Sequence, residues 1–228
     1  MIGLAFALEH EAAGIVRELR DVDSFRVGEL PCRTGTIAGK KTVVAILGMG
    51  AETAGRRAAM LADHFSLEVL ILAGYAGALV PELKRNTALL AANYLSPAAE
   101  PWASRLTGTR RAALHSAAAV AGTPEARREL AARGYEIVDM ETGAVAAMAL
   151  AKNIPLLPLR VISDEVGDVL PTAALAASFD LQRQRPDALR LLAHLTLHPG
   201  EIAPFARFVG HLGPAREALT NAVRALIV

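Results

Sequence analysis

The chain has 228 residues, 53% of them hydrophobic, with 24 basic against 23 acidic side chains and a formal net charge of +1. That length suits one large α/β core and is short for two, and the charge balance gives no electrostatic grip on nucleic acid. The single cysteine, Cys32, excludes an internal disulfide and a cysteine-based zinc site, and the six histidines are scattered without ligand spacing.

Residues 2–8 form an apolar run bounded by charge, as expected of a buried strand. The start of the chain lacks a basic segment, and no stretch approaches the ~20 apolar residues of a membrane helix. A soluble, cytoplasmic protein is therefore expected. Residues 11–20 have apolar positions at helical spacing. Residues 33–38 and 42–47, joined by Gly39-Lys40-Lys41, read as a hairpin. Gly48-Met49-Gly50 breaks the second strand, 51–65 is helical, and 67–73 is a second buried strand. Gly74-Tyr75-Ala76-Gly77 reads as a turn, 87–92 as a strand and 96–111 as a loop. By composition 112–121 fits strand or helix. Thr123-Pro124-Glu125 is a helix start, with a capping Thr, a Pro at the first position and an acid in the first turn. Gly134 ends that helix. Alternating strands and helices argue for a parallel or mixed sheet covered on both faces.

The most informative stretch runs from Val138 to Asp164. A strand ends on Met140-Glu141, a helix follows to about Lys152, and a strand from Leu156 ends on Ser163-Asp164. Two carboxylates thus stand at the ends of two successive strands of a β-α-β unit, where open α/β sheets bind ligands. Met140-Glu141 before the helix and Arg160-x-Ile162-Ser163-Asp164 after it resemble the purine nucleoside phosphorylase/uridine phosphorylase superfamily. Within it the chain is most similar to the methylthioadenosine/S-adenosylhomocysteine nucleosidases and the hopanoid-associated phosphorylases. The resemblance covers residues 1 to about 170, and it makes 112–121 a strand. It implies a single α/β domain over 1–228. Its central mixed, mostly parallel twisted sheet is flanked by helices on both faces, and 186–228 is a helical extension packed on it.

Cleaving an N-glycosidic bond requires a proton for the leaving base, negative charge near the developing oxocarbenium, and a nucleophile on the opposite face of the sugar. The resemblance distributes these roles over three acids. Asp164, oriented by Ser163, shares a proton with N7 of the purine. Glu141 accepts hydrogen bonds from the sugar hydroxyls, with Met140 packed beside it. Glu11 activates the attacking water. Gly48-Met49-Gly50 and Gly74-Tyr75-Ala76-Gly77 match loops that line the sugar, where small residues let backbone N–H groups approach a ligand. Met49 and Leu8 match positions near the 5′ substituent, and Val120 a main-chain contact to the base. Read without the resemblance, Asp164 is an ordinary strand-end cap, and Glu141 and Glu11 are ordinary first-turn helix acids.

The chain departs from the family pattern at Tyr75, where a Ser or Thr is usual, at Arg85-Asn86 and at Ala119, where an aromatic often stacks on the base. Phosphorylases grip phosphate with arginines. The stretch 69–73 has no cation, and Glu9-His10-Glu11 occupies the place of another. Both observations favour hydrolysis, while Arg56 and Arg57 keep a phosphorylase acting on an adenosyl-lipid open. A nucleoside-binding module without turnover is the third reading. Residues 164–177 and His198-Pro199-Gly200 resemble the hopanoid-associated branch. Leu189, Leu192 and Leu195 give the tail a helical pattern, which is read as packing on the domain ahead of contact with a membrane. No metal or organic cofactor is indicated. The resemblance implies a homo-oligomer, with a dimer favoured, and a small nucleoside as partner, with phosphate an alternative.

Overall fold

A computed structural model describes all 228 residues. The chain opens with β1 (Ile2–Phe6), α1 (Glu9–Val16), β2 (Arg20–Val27), β3 (Leu30–Ile37) and β4 (Lys40–Ile46). It continues through α2 (Ala51–His64), β5 (Val69–Ala78), β6 (Ala88–Ala91), α3 (Glu100–Ala103), β7 (Arg110–Ala112) and β8 (Leu114–Ser116). Then come α4 (Pro124–Ala132), β9 (Ile137–Asp139), α5 (Thr142–Ala151) and β10 (Leu156–Asp164). The last part holds α6 (Thr172–Ser178), the short pair β11 (Phe179–Asp180) and β12 (Arg185–Pro186), α7 (Ala188–Leu197) and α8 (Ile202–Ile227). No helix is long and apolar enough to cross a membrane.

The main sheet runs β2-β3-β4-β1-β5-β10-β6-β7. Its centre, β4-β1-β5-β10, is parallel, while β2-β3-β4 is an antiparallel meander and β6 runs against β10. The pleat splits the apolar runs between two cores. Ile2, Leu4 and Phe6 pack with α1 and the end of α8 through Ile15, Leu219, Val223 and Leu226. Ala5, Leu70 and Leu72 pack on the other face against Ala54, Ala58 and Leu61 of α2 and Val145 of α5. The fold is therefore an α/β domain with a mixed, mostly parallel sheet and helices on both faces.

Several local expectations change. Gly74 to Gly77 is not a turn; β5 continues through Ala78 because it has β10 on one side as far as Gly77 and β9 beyond it. The β-α-β reading also needs correction. β9 runs antiparallel to β5 and pairs with β8, so β9 and β10 are not parallel neighbours. Strand structure in 112–121 is confined to the end of β7 and to β8, and 117–122 is loop. Residues 96–111, read as loop, hold α3 and the start of β7. β2 had no sequence signal: its residues are polar and mostly exposed, as suits a charged sheet edge. Thr123 caps α4 as expected, its hydroxyl accepting from the Ala126 N–H.

The tail divides in two. From Ala215 onward α8 is built into the core, and Gly14 of α1 lets Thr220 approach so closely that a Cβ would collide with it. Pro214 separates this half from residues 202–213, none of which is buried. Helix α7, expected to pack on the domain, has no buried residue.

Candidate active site

Glu11 reaches the site because α1 starts directly after β1. It is the third residue of the helix, and its carboxylate turns back to accept the Leu8 N–H at 2.9 Å, a helix-start pairing. Its other oxygen accepts the Tyr75 N–H of β5 at 3.0 Å. Glu11 is only 4% exposed. Burial pushes its carboxyl above the ordinary range, against the opposing pull of those N–H groups and of Arg160. A Cβ on Gly74 would lie 2.9 Å from Glu11 Oε1 and 3.2 Å from Arg160 Nη1, so this site has room only for glycine.

Glu141 follows β9 and stands at the start of α5. Its Oε1 accepts the Gly50 N–H at 2.8 Å. Gly50 has φ +88° and Gly48 φ +86°, a backbone region that glycine enters at little cost. Burial, with added repulsion from Asp139, pushes the Glu141 carboxyl up to about 7. Glu11 and Glu141 line one small cavity with Ala7, Gly74, Tyr75 and Arg160.

Arg160 is the cation beneath these two acids. Its Nε meets Asp139 Oδ2 at 3.0 Å and its Nη2 meets the same oxygen at 2.8 Å. Nη2 also donates to Thr142 Oγ1 at 2.6 Å, and Nη1 to the Leu72 carbonyl at 3.1 Å. The guanidinium is thus already engaged within the fold. Arg160 was part of the family motif in the sequence, but its role was not legible. The signal was a lone arginine in an otherwise apolar strand.

Asp164 lies outside that cavity, further along β5. It ends β10 and is buried; Ser163 Oγ donates to its Oδ1 at 2.7 Å. Arg127 of α4, itself buried, pairs with the other oxygen. Arg127 Nε also donates to the Ala121 carbonyl at 2.9 Å and Nη1 to the Glu165 carbonyl at 2.7 Å. It thereby ties the loop after Val120 to the acid. Gly77 makes room here, since a Cβ on it would sit 2.8 Å from Asp164 Oδ2. The two glycines of β5 each leave space for one acid, and the three residue steps from one to the other span about 10 Å.

The other expected residues fall as follows. Leu8, Met49 and Met140 are half-buried, and Val120 is exposed in the loop before α4. The Tyr75 phenol points toward His10 Nδ1 and the Leu212 carbonyl, so the cavity receives its backbone N–H. The Ala76 carbonyl accepts a weak bond from Ser163 at 3.4 Å. Met49 pairs through both its N–H (2.7 Å) and its carbonyl (3.2 Å) with the side chain of Gln184, from the β11–β12 turn. Sequence reasoning missed Gln184 and Arg127, both of which depend on long-range contacts. Arg56 and Arg57 do not line the cavity; Glu29 pairs with both. No group of three or more His, Cys, Asp or Glu gathers to hold a metal ion. What the arrangement offers chemically is a pair of buried carboxylates, both raised by burial and Glu141 to about 7, with a third acid held some distance away by a serine and an arginine.

Over 82 residues the chain is 32% identical to the 5′-methylthioadenosine/S-adenosylhomocysteine nucleosidase of Mycobacterium bovis, covering 36% of this chain and 32% of that protein. Two solved structures share the fold. That nucleosidase from Neisseria meningitidis, in complex with methylthio-immucillin-A, superposes with a TM-score of 0.73 at 18% identity, over 99% of this chain and 97% of the other. Native futalosine hydrolase of Helicobacter pylori gives 0.76 at 16%, over 99% and 96%. The model of the phosphorylase superfamily matches residues 1–115 and 114–196. The chain belongs to the phosphorylase superfamily.

Proposed function

We propose that this protein hydrolyses the N-glycosidic bond of a purine nucleoside carrying a 5′ substituent. The observation that carries the reading is the Glu11–Glu141 pair around one cavity whose single arginine, Arg160, is already bound to Asp139. A phosphate dianion there would face two carboxylates with no free guanidinium to receive it. A carboxylate raised by burial is instead a base strong enough to activate water. The Gly48–Gly50 loop gives the same indication, since its Met49 N–H goes to Gln184 and its Gly50 N–H to Glu141.

In this mechanism Glu11 takes a proton from water as the water attacks the anomeric carbon. Glu141 binds the sugar hydroxyls, and its charge stabilises the oxocarbenium-like transition state. Asp164, oriented by Ser163 and Arg127, faces the base and shares a proton with N7 as the bond breaks, so that neutral purine departs. Asp164 ends β10, the strand that also carries Arg160 beneath the acid pair, and this reading has the base at Asp164 and the sugar at the pair. Residues 1–228 act as one unit with 186–228 as its extension; a homodimer and a cytoplasmic location come with this reading from the family resemblance. The named nucleosidase relatives favour adenine as the base. The second reading is a phosphate-dependent phosphorylase of the hopanoid-associated type acting on an adenosyl-lipid, which the resemblance of residues 164–177 and 198–200 to that branch supports.

The test is chromatography of methylthioadenosine and adenosine incubated with the protein in phosphate-free buffer. Adenine release there is expected; release only on adding phosphate would replace hydrolysis by phosphorolysis. No product from either substrate would leave the lipid-linked nucleoside to try, and tight nucleoside binding without any turnover would favour a binding module.

A further inference from the structure

The exposed large apolar residues of this molecule are concentrated in one stretch of the chain. Seven of its eleven exposed large hydrophobic residues fall between Val169 and Val209. Helix α7 supplies three of them: Leu189 is 82% exposed, Leu192 63% and Leu197 77%. Leu189, Leu192, Ala193 and Thr196 follow the i, i+3, i+4, i+7 spacing of one helix face. The half-buried Leu191 and Leu195 lie on the opposite side. A helix apolar on both sides is ordinarily buried on both, and here one side meets solvent. Ile202 and Val209, in the half of α8 before Pro214, add to the exposed surface.

Charge flanks these leucines. Arg183, Arg185 and Arg190 line one open groove together with Leu189 and Asp187. Asp187 caps α7 through the Arg190 N–H, and Asp180 accepts from Gln182 and Arg183. Glu201 is held by the Ala174 N–H and by His194. The acids of the region are thus engaged locally, Asp180 also pairing with the Arg183 side chain at 3.6 Å, whereas Arg185, Arg190 and Arg207 have no carboxylate within ion-pair distance.

We propose that the exposed face of α7, with Arg183, Arg185 and Arg190, docks onto an anionic lipid bilayer surface. Interfacial helices work this way, the leucines entering the headgroup boundary while the arginines meet lipid phosphates. A second copy of this chain is a poorer occupant. A two-fold contact through the patch would bring the same arginines face to face, whereas anionic headgroups neutralise them. The surface also adjoins the site. Gln184, bonded to Met49, lies four residues before the start of α7. The inference concerns binding and stands whatever reaction the site performs.

Co-sedimentation of the full chain with phosphatidylglycerol and with phosphatidylcholine vesicles tests this, alongside sedimentation velocity without lipid. Variants Leu189→Ser/Leu192→Ser/Leu197→Ser and Arg183→Glu/Arg185→Glu/Arg190→Glu are compared after thermal melts show both folded. These positions are solvent-facing, so the melts are expected to stay near the parent. Binding to anionic vesicles that falls with salt is expected. Burying one leucine is worth roughly tenfold, so the triple serine variant should lose about a hundredfold or more. The charge variant should lose its preference for the anionic vesicles. No binding, equal binding to both vesicle types, or binding unchanged in the serine variant would each overturn the proposal. So would self-association that the serine variant abolishes in the absence of vesicle binding.

Discussion

Replacing Arg160 by Met removes the cation beneath the acid pair and has two separable consequences. The Arg160 and Asp139 side chains are 3% and 1% exposed. Removing one partner of a buried ion pair leaves the other charged and unsolvated, at a cost of about 3–5 kcal/mol. In a chain of this length each kcal/mol moves the melting temperature by roughly 2–4 °C. Arg160→Met should therefore melt about 6–20 °C below the parent. Arg160 also holds the carboxyls of Glu11 and Glu141 down against burial. Without it both rise further, so the acidic limb of the pH–rate profile moves to higher pH. Asp139→Asn/Arg160→Met removes both charges and should recover part of the lost stability. Differential scanning calorimetry of the three variants, with kcat/KM measured against pH, is the assay. A single variant as stable as the parent, a double variant no more stable than the single, or an unmoved acidic limb would refute the role assigned to Arg160.

Glu141, near 7 in the folded chain against an ordinary 4.5, binds its proton more tightly when folded. Its contribution to stability is present at low pH and lost as pH rises from about 4.5 to 7, a change of about 3 kcal/mol. Urea denaturation across that range should show this decline, and Glu141→Gln should flatten it. Glu11→Gln keeps an acceptor for one of the two N–H groups and loses the base, so kcat should fall by about 10²–10⁴ while near-parent unfolding shows the fold retained. Gly74→Ala pushes a methyl into Glu11 and Arg160; it should abolish turnover, with circular dichroism reporting the fold.

Much of the site was legible because it follows local rules. Asp164 ends a strongly apolar strand, Glu141 stands at a helix start two residues past β9, and Thr123-Pro124 starts its helix by cap chemistry alone. What escaped depends on residues far apart in sequence. Tyr75 donates its N–H to a carboxylate 64 residues earlier, so a Gly-rich stretch that looks like a turn is a strand carrying part of the site. Arg127 and Gln184 meet partners 37 and 135 residues away. No local pattern marks such pairs. β2 escaped for the opposite reason: an exposed, charged edge strand has no buried face to impose alternation. The exposed leucines of α7 escaped because spacing identifies an apolar face but not what covers it.

Hydrolysis is tested most directly by identifying the sugar product formed from methylthioadenosine with excess phosphate present, by mass spectrometry and ³¹P NMR. Free methylthioribose beside stoichiometric adenine is expected, with no phosphorylated sugar. Accumulation of the sugar 1-phosphate would contradict Glu11 as the base that activates water, and with it the reading of the Glu11–Glu141 cavity as one that excludes phosphate.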